Sequence, residues 1–231
     1  MGHVHLVVAD PDAQKKAWID GLGAQEEKAG ALDLLKLPGI FVIVSKGMPN
    51  GGSNGSSVNH IGLAVKDYAA IKAKLAAAQV PMQELTPNQQ MFATFPEDVR
   101  VEIMEVKDQT PPVAFHHMHL SVPDPETTRE WYVKTFGAAP GTRRGPAAMI
   151  PGGEVDFLKA RMPQEPTKGR SLDHIGFEVK DLAAFINKLE ASGIRMDMPF
   201  TDMTQRIGLK IAFFTDPAGT RIELTEGLIT K

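Results

Sequence analysis

The chain has 231 residues, of which 42% are hydrophobic and 23% charged, and its 25 basic and 28 acidic side chains give a formal net charge of −3 at pH 7. This length predicts one large domain or two small ones, and the composition excludes a mainly disordered chain. Because no segment is dominated by basic residues, we expect no nucleic-acid partner.

The sequence contains no cysteine, which excludes disulfides, thiolate nucleophiles and cysteine-based metal sites. Any metal must therefore be held by His, Asp or Glu. No apolar run approaches the roughly 20 residues of a membrane span, so we expect no membrane partner. The N-terminus enters a strand-like segment without a signal peptide. This predicts a cytoplasmic protein by default, with an exported protein that has a trimmed leader as the alternative.

Two segments of the sequence recur at one spacing. Residues 3–11 (HVHLVVADP) return as 117–125 (HMHLSVPDP), and residues 59–67 (NHIGLAVKD) return as 173–181 (DHIGFEVKD), in both cases 114 positions later. A shared offset indicates a tandem duplication of about half of the chain. Polar, proline-containing residues lie between the halves. We therefore expect an N-terminal domain at 1–110 and a C-terminal domain at 111–231.

Each half divides again into two similar units. Every unit opens with a strand-like apolar run that ends in an Asp able to cap a helix, namely Asp10 or Asp12, Asp67, Asp124 and Asp181. Helical spacing of apolar residues follows and is clearest between Leu182 and Leu189. Further strand-like stretches come after each helix, the last of them at 41–44, 99–103, 155–158 and 220–224. The sequence thus predicts a βαβββ unit repeated four times.

This pattern resembles the vicinal oxygen chelate superfamily, which includes glyoxalase I, extradiol dioxygenases and bleomycin-resistance proteins. The resemblance rests on the strand openings at 3–8 and 59–65, on their repeats, and on the ending FTDPAGTRIEL at 214–224. It implies an α+β fold in which four βαβββ modules form two cupped, incompletely closed β-barrels flanked by helices. It also implies that the two modules of each half share one cup and that a metal is bound inside it. Pairing of the first module with the fourth is the alternative.

All seven histidines lie in the strands that open the modules, and six of them form repeat-equivalent pairs, namely His3 with His117, His5 with His119, and His60 with His174. Glu102 and Glu223 occupy matching strands between apolar neighbours. Because alternate strand residues face opposite ways, both glutamates are expected to point into a cup. An ionised carboxylate there requires a cation or a hydrogen-bonding partner.

Pairing within halves predicts two metal triads of two histidines and one glutamate each. The predicted triads are His3, His60 and Glu102, and His117, His174 and Glu223. Three protein ligands leave coordination positions open, as in catalytic sites, and this set suits Fe2+, with Mn2+, Zn2+, Ni2+ or Co2+ as alternatives. The competing interpretation is that the histidines of one or both triads only form hydrogen bonds inside the cup.

Further polar residues share the face of these ligands. His5 and His119 follow the first histidine of each half by two residues, and each is either a general acid or base or a polar residue that lines the cup. Arg100 and Arg221 precede the two glutamates by two residues. We expect salt bridges at the strand ends for both arginines, with binding of a substrate anion as the alternative.

The chemistries of the resembling family make different demands on these positions. Glyoxalase I requires a fourth ligand, and the corresponding positions are Val42 and Asp156, so only the C-terminal half fits it. Extradiol dioxygenases carry a tyrosine ten residues before the glutamate, where this sequence has Phe213. They also carry an acid/base histidine shortly before the second ligand, and no histidine lies between His119 and His174.

We therefore predict a metal-dependent enzyme that acts on a small substrate chelating the metal through oxygens, and we favour lyase or isomerase chemistry. The candidate catalytic residues are His119, His5 and Asp156. The alternatives are an extradiol-type dioxygenase and a non-catalytic, bleomycin-resistance-like binding protein, which the two complete triads disfavour. The expected state is a monomer or a homodimer, and the sequence leaves the substrate open.

Overall fold

The computed structural model describes residues 2–228, which contain four modules of one helix and four strands. Module 1 comprises β1 (His3–Val8), α1 (Pro11–Leu22), β2 (Gln25–Ala29), β3 (Leu32–Leu37) and β4 (Ile40–Lys46). Module 2 comprises β5 (Val58–Val65), α2 (Tyr68–Ala77), β6 (Met82–Thr86), β7 (Gln90–Phe95) and β8 (Val99–Glu105).

The C-terminal half repeats this order. Module 3 comprises β9 (Val113–Val122), α3 (Pro125–Phe136), β10 (Ala139–Thr142), β11 (Pro146–Ile150) and β12 (Gly153–Lys159). Module 4 comprises β13 (Leu172–Glu178), α4 (Leu182–Ala191), β14 (Met196–Asp202), the short α5 (Thr204–Ile207), β15 (Lys210–Thr215) and β16 (Arg221–Glu226). The predicted βαβββ order is confirmed in all four modules.

Each of the four long helices begins directly after an aspartate at the end of the opening strand. The side chains of Asp10, Asp67, Asp124 and Asp181 each accept a hydrogen bond from the backbone N–H three residues further on. This contact satisfies a donor that the start of a helix leaves without a partner. Asp12, the other candidate in module 1, lies within the first turn of α1. None of the described helices has the length and hydropathy needed to cross a membrane.

The strands form two open, mixed sheets of eight strands. The first sheet has the order β14-β15-β16-β13-β1-β4-β3-β2 and joins modules 1 and 4, whereas the second has the order β10-β11-β12-β9-β5-β8-β7-β6 and joins modules 2 and 3. At the centre of each sheet two opening strands run antiparallel. Each opening strand also pairs in parallel with the last strand of its own module.

The expected pairing of modules within each half is therefore wrong. Residues 1–110 and 111–231 do not each form a cup, because each sheet takes one module from either half. The opening strands of modules 1 and 3 carry one pattern and those of modules 2 and 4 another, so the pattern does not select between modules 2 and 4 as the partner of module 1. The proposed boundary near residue 110 falls in the loop between β8 and β9.

The helices, unlike the sheets, join modules of the same half. In the N-terminal half α1 packs against α2, and Trp18 of α1 contacts Phe95 of module 2 with ring centroids 5.0 Å apart. In the C-terminal half Phe136 at the end of α3 stacks on Phe185 of α4. Buried residues of all four modules belong to one main core. Helix packing thus connects the two modules of each half, while strand pairing connects module 1 to module 4 and module 2 to module 3.

Candidate functional site

The central antiparallel strands bring histidines of two modules face to face. The opposed residues are His5 and His174, His3 and Gly176, His119 and His60, and His117 and Gly62. A Cβ atom at Gly176 would lie 2.1 Å from the His3 ring, and one at Gly62 would lie 2.0 Å from the His117 ring. Only glycine therefore leaves room for the opposing imidazole.

The first site lies in the first sheet and consists of His3, His174 and Glu223, with His5 beside them. The Nε2 atoms of His3 and His174 lie 2.8 and 2.9 Å from a single oxygen, Oε2 of Glu223. The ring of His5 packs against that of His174 at 4.6 Å between centroids, and its Nε2 lies 2.7 Å from Oγ of Ser45. One donor atom from each of the four site residues lies within 4.8 Å of the others.

The second site lies in the second sheet and consists of His60, His117 and Glu102, with His119 beside them. The Nε2 atoms of His117 and His60 lie 3.0 and 3.3 Å from Oε2 of Glu102. The Nδ1 atom of His119 lies 3.2 Å from Nε2 of His60. The other oxygen of Glu102 accepts a hydrogen bond from the side chain of Gln90. The two sites thus share one arrangement of imidazoles around a buried carboxylate.

The structure brings the six candidate ligands together in two sets of three, but these are not the predicted sets. The expected triads were His3, His60 and Glu102, and His117, His174 and Glu223; the observed sets are His3, His174 and Glu223, and His60, His117 and Glu102. The exchange follows from the pairing of module 1 with module 4, which joins residues 220 positions apart. His5 and His119 lie on the face of the ligands, as the strand alternation predicts.

Both sites have a geometry that suits a divalent cation. Donor atoms about 2.1 Å from a shared ion, at angles between about 90° and 109°, are about 3.0 to 3.4 Å apart. The nitrogen-to-oxygen separations of 2.8 to 3.3 Å lie close to this range. In the second site, Nδ1 of His60 contacts Oδ1 of Asn59 at 2.8 Å and must carry the proton there. A neutral His60 then turns an Nε2 lone pair toward a carboxylate, a contact that a cation would stabilise.

A carboxylate orients the first-site histidine of module 4. Oδ1 of Asp173 lies 2.6 Å from Nδ1 of His174, and the same oxygen accepts a hydrogen bond from Arg221 at 2.6 Å. Arg221 also lies over the ring of Phe213, at 4.2 Å. Arg221 therefore forms the predicted strand-end salt bridge. Its partner is the carboxylate behind the histidine, which fixes the orientation of the imidazole.

The second site has an uncharged amide at the corresponding place. Asn59 contacts His60 and accepts a hydrogen bond from Arg100 at 3.0 Å. Arg100 lies over the ring of Phe92 at 3.5 Å, as its counterpart does in the first site. The expected salt bridge of Arg100 is thus replaced by a hydrogen bond to an amide. The group behind His60 is therefore uncharged, whereas the group behind His174 is a carboxylate.

Burial and neighbouring groups separate the pKa values of the site residues. Burial, with smaller contributions from nearby histidines, lowers the pKa of His5 and of His119 to about 3 and that of His60 to about 4. Burial also acts on His174, but its two carboxylate partners outweigh it and raise the pKa of this imidazole. The glutamate of each site is buried, yet the contacting histidines hold its pKa below the usual range.

The second site has acidic residues on the neighbouring strand β12. Glu154 lies beside His117 and Asp156 beside His119 in the parallel register. Both carboxylates form ion pairs with Arg143, at 2.9 and 2.7 Å. Asp156, expected as a fourth ligand or a base, is 6% exposed, and its Oδ2 accepts a hydrogen bond from Arg143. Its Oδ1 has no hydrogen-bond partner within residues 2–228.

The first site has apolar residues at the corresponding places on β4. Phe41 lies beside His3 and Ile43 beside His5. Val42, expected at the position of Asp156, belongs to the main core on the other face of the strand. The residue that corresponds to Asp156 is Ile43 rather than the expected Val42, because module 1 and module 3 differ in length before this strand. Both residues are apolar, so neither can serve as a fourth ligand.

Several residues of the sites were missed by sequence reasoning. Asn59 and Asp173 directly precede a repeated histidine, and Gly62 and Gly176 follow it by two, so their recurrence within the aligned motifs was the available signal. Arg143 lies in the turn between β10 and β11, outside the recurring segments, and offered no such signal. Its place beside Glu154 follows only from the sheet topology.

Comparisons with known proteins agree with this architecture. Residues 114–224 match the model of the Glyoxalase/Bleomycin resistance protein/Dioxygenase superfamily. No curated protein matches the sequence significantly.

Solved structures that resemble the chain include glyoxalase I from Zea mays, at 15% identity over 97% of this chain and 91% of that one, with a TM-score of 0.78. A putative dioxygenase from Bacillus subtilis is 16% identical over 99% of this chain and 86% of that one, with a TM-score of 0.72. At these identities the likeness shows the fold alone. The chain therefore has the four-module vicinal oxygen chelate fold, and its residues 114–224 match the model of the Glyoxalase/Bleomycin resistance protein/Dioxygenase superfamily.

Proposed function

We propose that the protein is a metal-dependent enzyme that acts on a small substrate chelating the metal through oxygens, by lyase or isomerase chemistry. The observation that carries this proposal is the convergence, in each site, of two histidine Nε2 atoms on one carboxylate oxygen, as for His3, His174 and Glu223. Three protein ligands leave coordination positions for a substrate. A divalent ion held there would act as a Lewis acid on the substrate oxygens.

The side chains around the proposed ligands include candidate proton acceptors. Burial lowers the pKa values of His119 and His5 to about 3, so both imidazoles are neutral at pH 7 and are weak bases, which would take a proton from a substrate that the metal acidifies. Asp156 is a third candidate base through Oδ1, which has no hydrogen-bond partner among the described residues. All three lie on the face of a proposed ligand set, where a chelated substrate would present an acidic C–H or O–H group.

Aromatic residues near the ligands weigh against ring cleavage by an extradiol-type dioxygenase. Phe213 lies against His174 and Phe92 against His60, each with ring centroids 5.0 Å apart. Phe213 stands where the dioxygenase resemblance expects a tyrosine, and neither phenylalanine supplies a hydroxyl. A non-catalytic binding protein is the other alternative. It would have no need of two buried carboxylates surrounded by imidazoles, which are costly to bury without a cation.

Elemental analysis of the purified protein tests the proposal first, with one to two divalent ions per chain expected. The reconstituted protein is then assayed with methylglyoxal and glutathione, and separately with catechols in an oxygen electrode. Metal-dependent turnover without oxygen consumption supports the proposal. Absence of bound metal, or metal-dependent oxygen uptake with a ring-opened product, contradicts it. A cytoplasmic location and a monomeric or homodimeric state stay predictions from the sequence.

A further inference from the structure

Arg143 places a fixed positive charge inside the second site. From the turn after β10, its guanidinium reaches Oδ2 of Asp156 through Nε at 2.8 Å and through Nη2 at 2.7 Å. Its Nε also lies 2.9 Å from Oε1 of Glu154. The same Nη2 lies 3.2 Å from Nε2 of His117, which is one of the proposed metal ligands. The guanidinium therefore contacts both the acidic residues and a ligand nitrogen.

Arg143 and a metal ion compete for the same electron pair. A neutral imidazole nitrogen has one lone pair, and guanidinium groups only donate hydrogen bonds. When Nη2 donates to Nε2 of His117, that lone pair is not available to a metal. Two cations at this distance would also repel each other. The side chain of Arg143 is 22% exposed, so it can move outward without crossing the core.

Among the described residues, the first site has no arginine at the corresponding place. The places that correspond to Glu154 and Asp156 are taken by Phe41 and Ile43, opposite His3 and His5. Nε2 of His3 and Nε2 of His174 contact only Glu223, at 2.8 and 2.9 Å, among the contacts of these two nitrogens. A metal that binds these nitrogens would therefore displace protons, whereas at the second site it must also displace a side chain of the protein.

We propose that Arg143 is a resident cation of the second site, that it and a divalent ion exclude each other at His117, and that the first site consequently loads with metal before the second. This inference rests on the proposed metal-dependent function and names the residue that distinguishes its two sites. Glu154 and Asp156 hold the guanidinium in place. Binding of a metal to the second site requires that Arg143 leave His117.

The test measures metal affinity of the second site alone. In a His174→Ala background, which removes a ligand of the first site, Co2+ or Zn2+ is titrated calorimetrically into full-length protein with and without Arg143→Gln. We expect Arg143→Gln to tighten binding at least tenfold, because the His117 lone pair and two carboxylates become free. Arg144→Gln is the matched control. It removes the same charge from the same turn, but its side chain contacts Gln90 instead of His117, so we expect a change below threefold.

Each outcome decides the proposal. Unchanged or weaker binding by Arg143→Gln, or no binding by it at all, overturns the proposal, since Arg143 would then support the ligands or be irrelevant to them. If Arg143→Gln fails to fold by circular dichroism, Arg143→Lys serves instead, because its compact ammonium lacks the planar fork with which the guanidinium contacts Glu154, Asp156 and His117. It should tighten binding at least threefold. Metal content of the otherwise unchanged protein reports separately on the proposed function, because the first site does not depend on Arg143.

Discussion

The first and second sites have the same ligand types and different surroundings. Around His3 and His174 the neighbouring strand is apolar, and a carboxylate, Asp173, lies behind the imidazole. Around His60 and His117 the neighbouring strand is acidic, a guanidinium enters, and an amide lies behind the imidazole. Within one chain, the two repeats thus have the same candidate ligands and different electrostatics around them.

Backbone pairing holds the candidate ligands in place while neighbouring side chains vary. The candidate ligands lie on the two central strands of each sheet and on one neighbouring strand, where register is fixed on both sides and glycine leaves room for the opposing ring. The distinguishing residues lie on β4 and β12, which are the other neighbours of the central strands, and on the turn before β11. Because backbone groups make the pairing, substitutions on β4 and β12 can alter charge without moving the candidate ligands.

Removal of single ligands gives the largest expected effect and tests the pairing of modules. His3→Ala and Glu223→Gln should abolish the same ion, because their atoms meet at 2.8 Å, and each should lower first-site affinity by at least about 100-fold. Glu102→Gln should abolish the other ion. Elemental analysis and calorimetric titration of the three variants measure this directly.

The double variants provide the control for this prediction. His3→Ala combined with Glu223→Gln should lose no more metal than either change alone, whereas His3→Ala combined with Glu102→Gln should lose both ions. Loss of one shared ion in the second combination would restore the pairing within halves and contradict the sheet topology.

Exchange of the groups behind the imidazoles gives the next largest effect. Asp173→Asn should weaken metal binding at the first site by about 10- to 100-fold, since a carboxylate orients the ligand and raises its basicity. Asn59→Asp should strengthen the second site, with Arg100 as the ready ion-pair partner. Competition with a chromophoric chelator measures both affinities. If metal affinity changed in the same direction in both variants, the charge of the residue behind the imidazole would not determine that affinity.

Glycine substitution should affect stability and one site at a time. Gly176→Ala forces a Cβ against the ring of His3, and Gly62→Ala forces one against His117. Each should cost about 1 to 3 kcal/mol in free energy of unfolding, as overpacking of a core does. Urea unfolding and metal titration are the measurements. Gly137→Ala, at a positive-φ helix cap with no heavy atom within 4 Å, separates backbone strain from the clash. If Gly137→Ala lost as much bound metal as the other two variants, a clash with the histidine ring could not explain the loss.

The sequence predicted the modules and the positions of the six candidate ligands on their strands, but not the contacts between them. Strand alternation and the 114-residue offset identify which residues face a cup, and Asp67 or Asp181 marks where each helix begins. Which opening strand pairs with which depends on contacts between residues far apart in the chain, and the opening strands of modules 2 and 4 carry equivalent patterns. The pairing was therefore not determined by the pattern, and neither was the position of Arg143, which depends on β12 lying beside β9.

The pH dependence of stability should have opposite signs for His119 and His174. In metal-free protein, His119 has a folded pKa of about 3 against about 6.5 unfolded, so the unfolded chain binds more protons between these values. Stability from this residue is present above about pH 6.5 and is lost as the pH falls, by about 1.4 kcal/mol for each pH unit below that point. His174 has a raised folded pKa. Its contribution is complete below about pH 6.5 and is lost as the pH rises through the folded value.

Substitution of each histidine isolates its contribution. His119→Gln should flatten the loss of unfolding free energy between about pH 6.5 and about pH 5, because one proton fewer is taken up on unfolding. His174→Gln should instead remove the stability that is lost as the pH rises above about 6.5. Urea unfolding in the presence of a chelator, at several pH values on both sides of this point, gives the two slopes. An unchanged slope above about pH 6.5 in His174→Gln would show that His174 does not hold its proton between Asp173 and Glu223. The second site, in which His60 and His119 both have lowered pKa values, is therefore expected to contribute more of the protein's acid sensitivity than the first, in which the pKa is lowered for His5 but raised for His174.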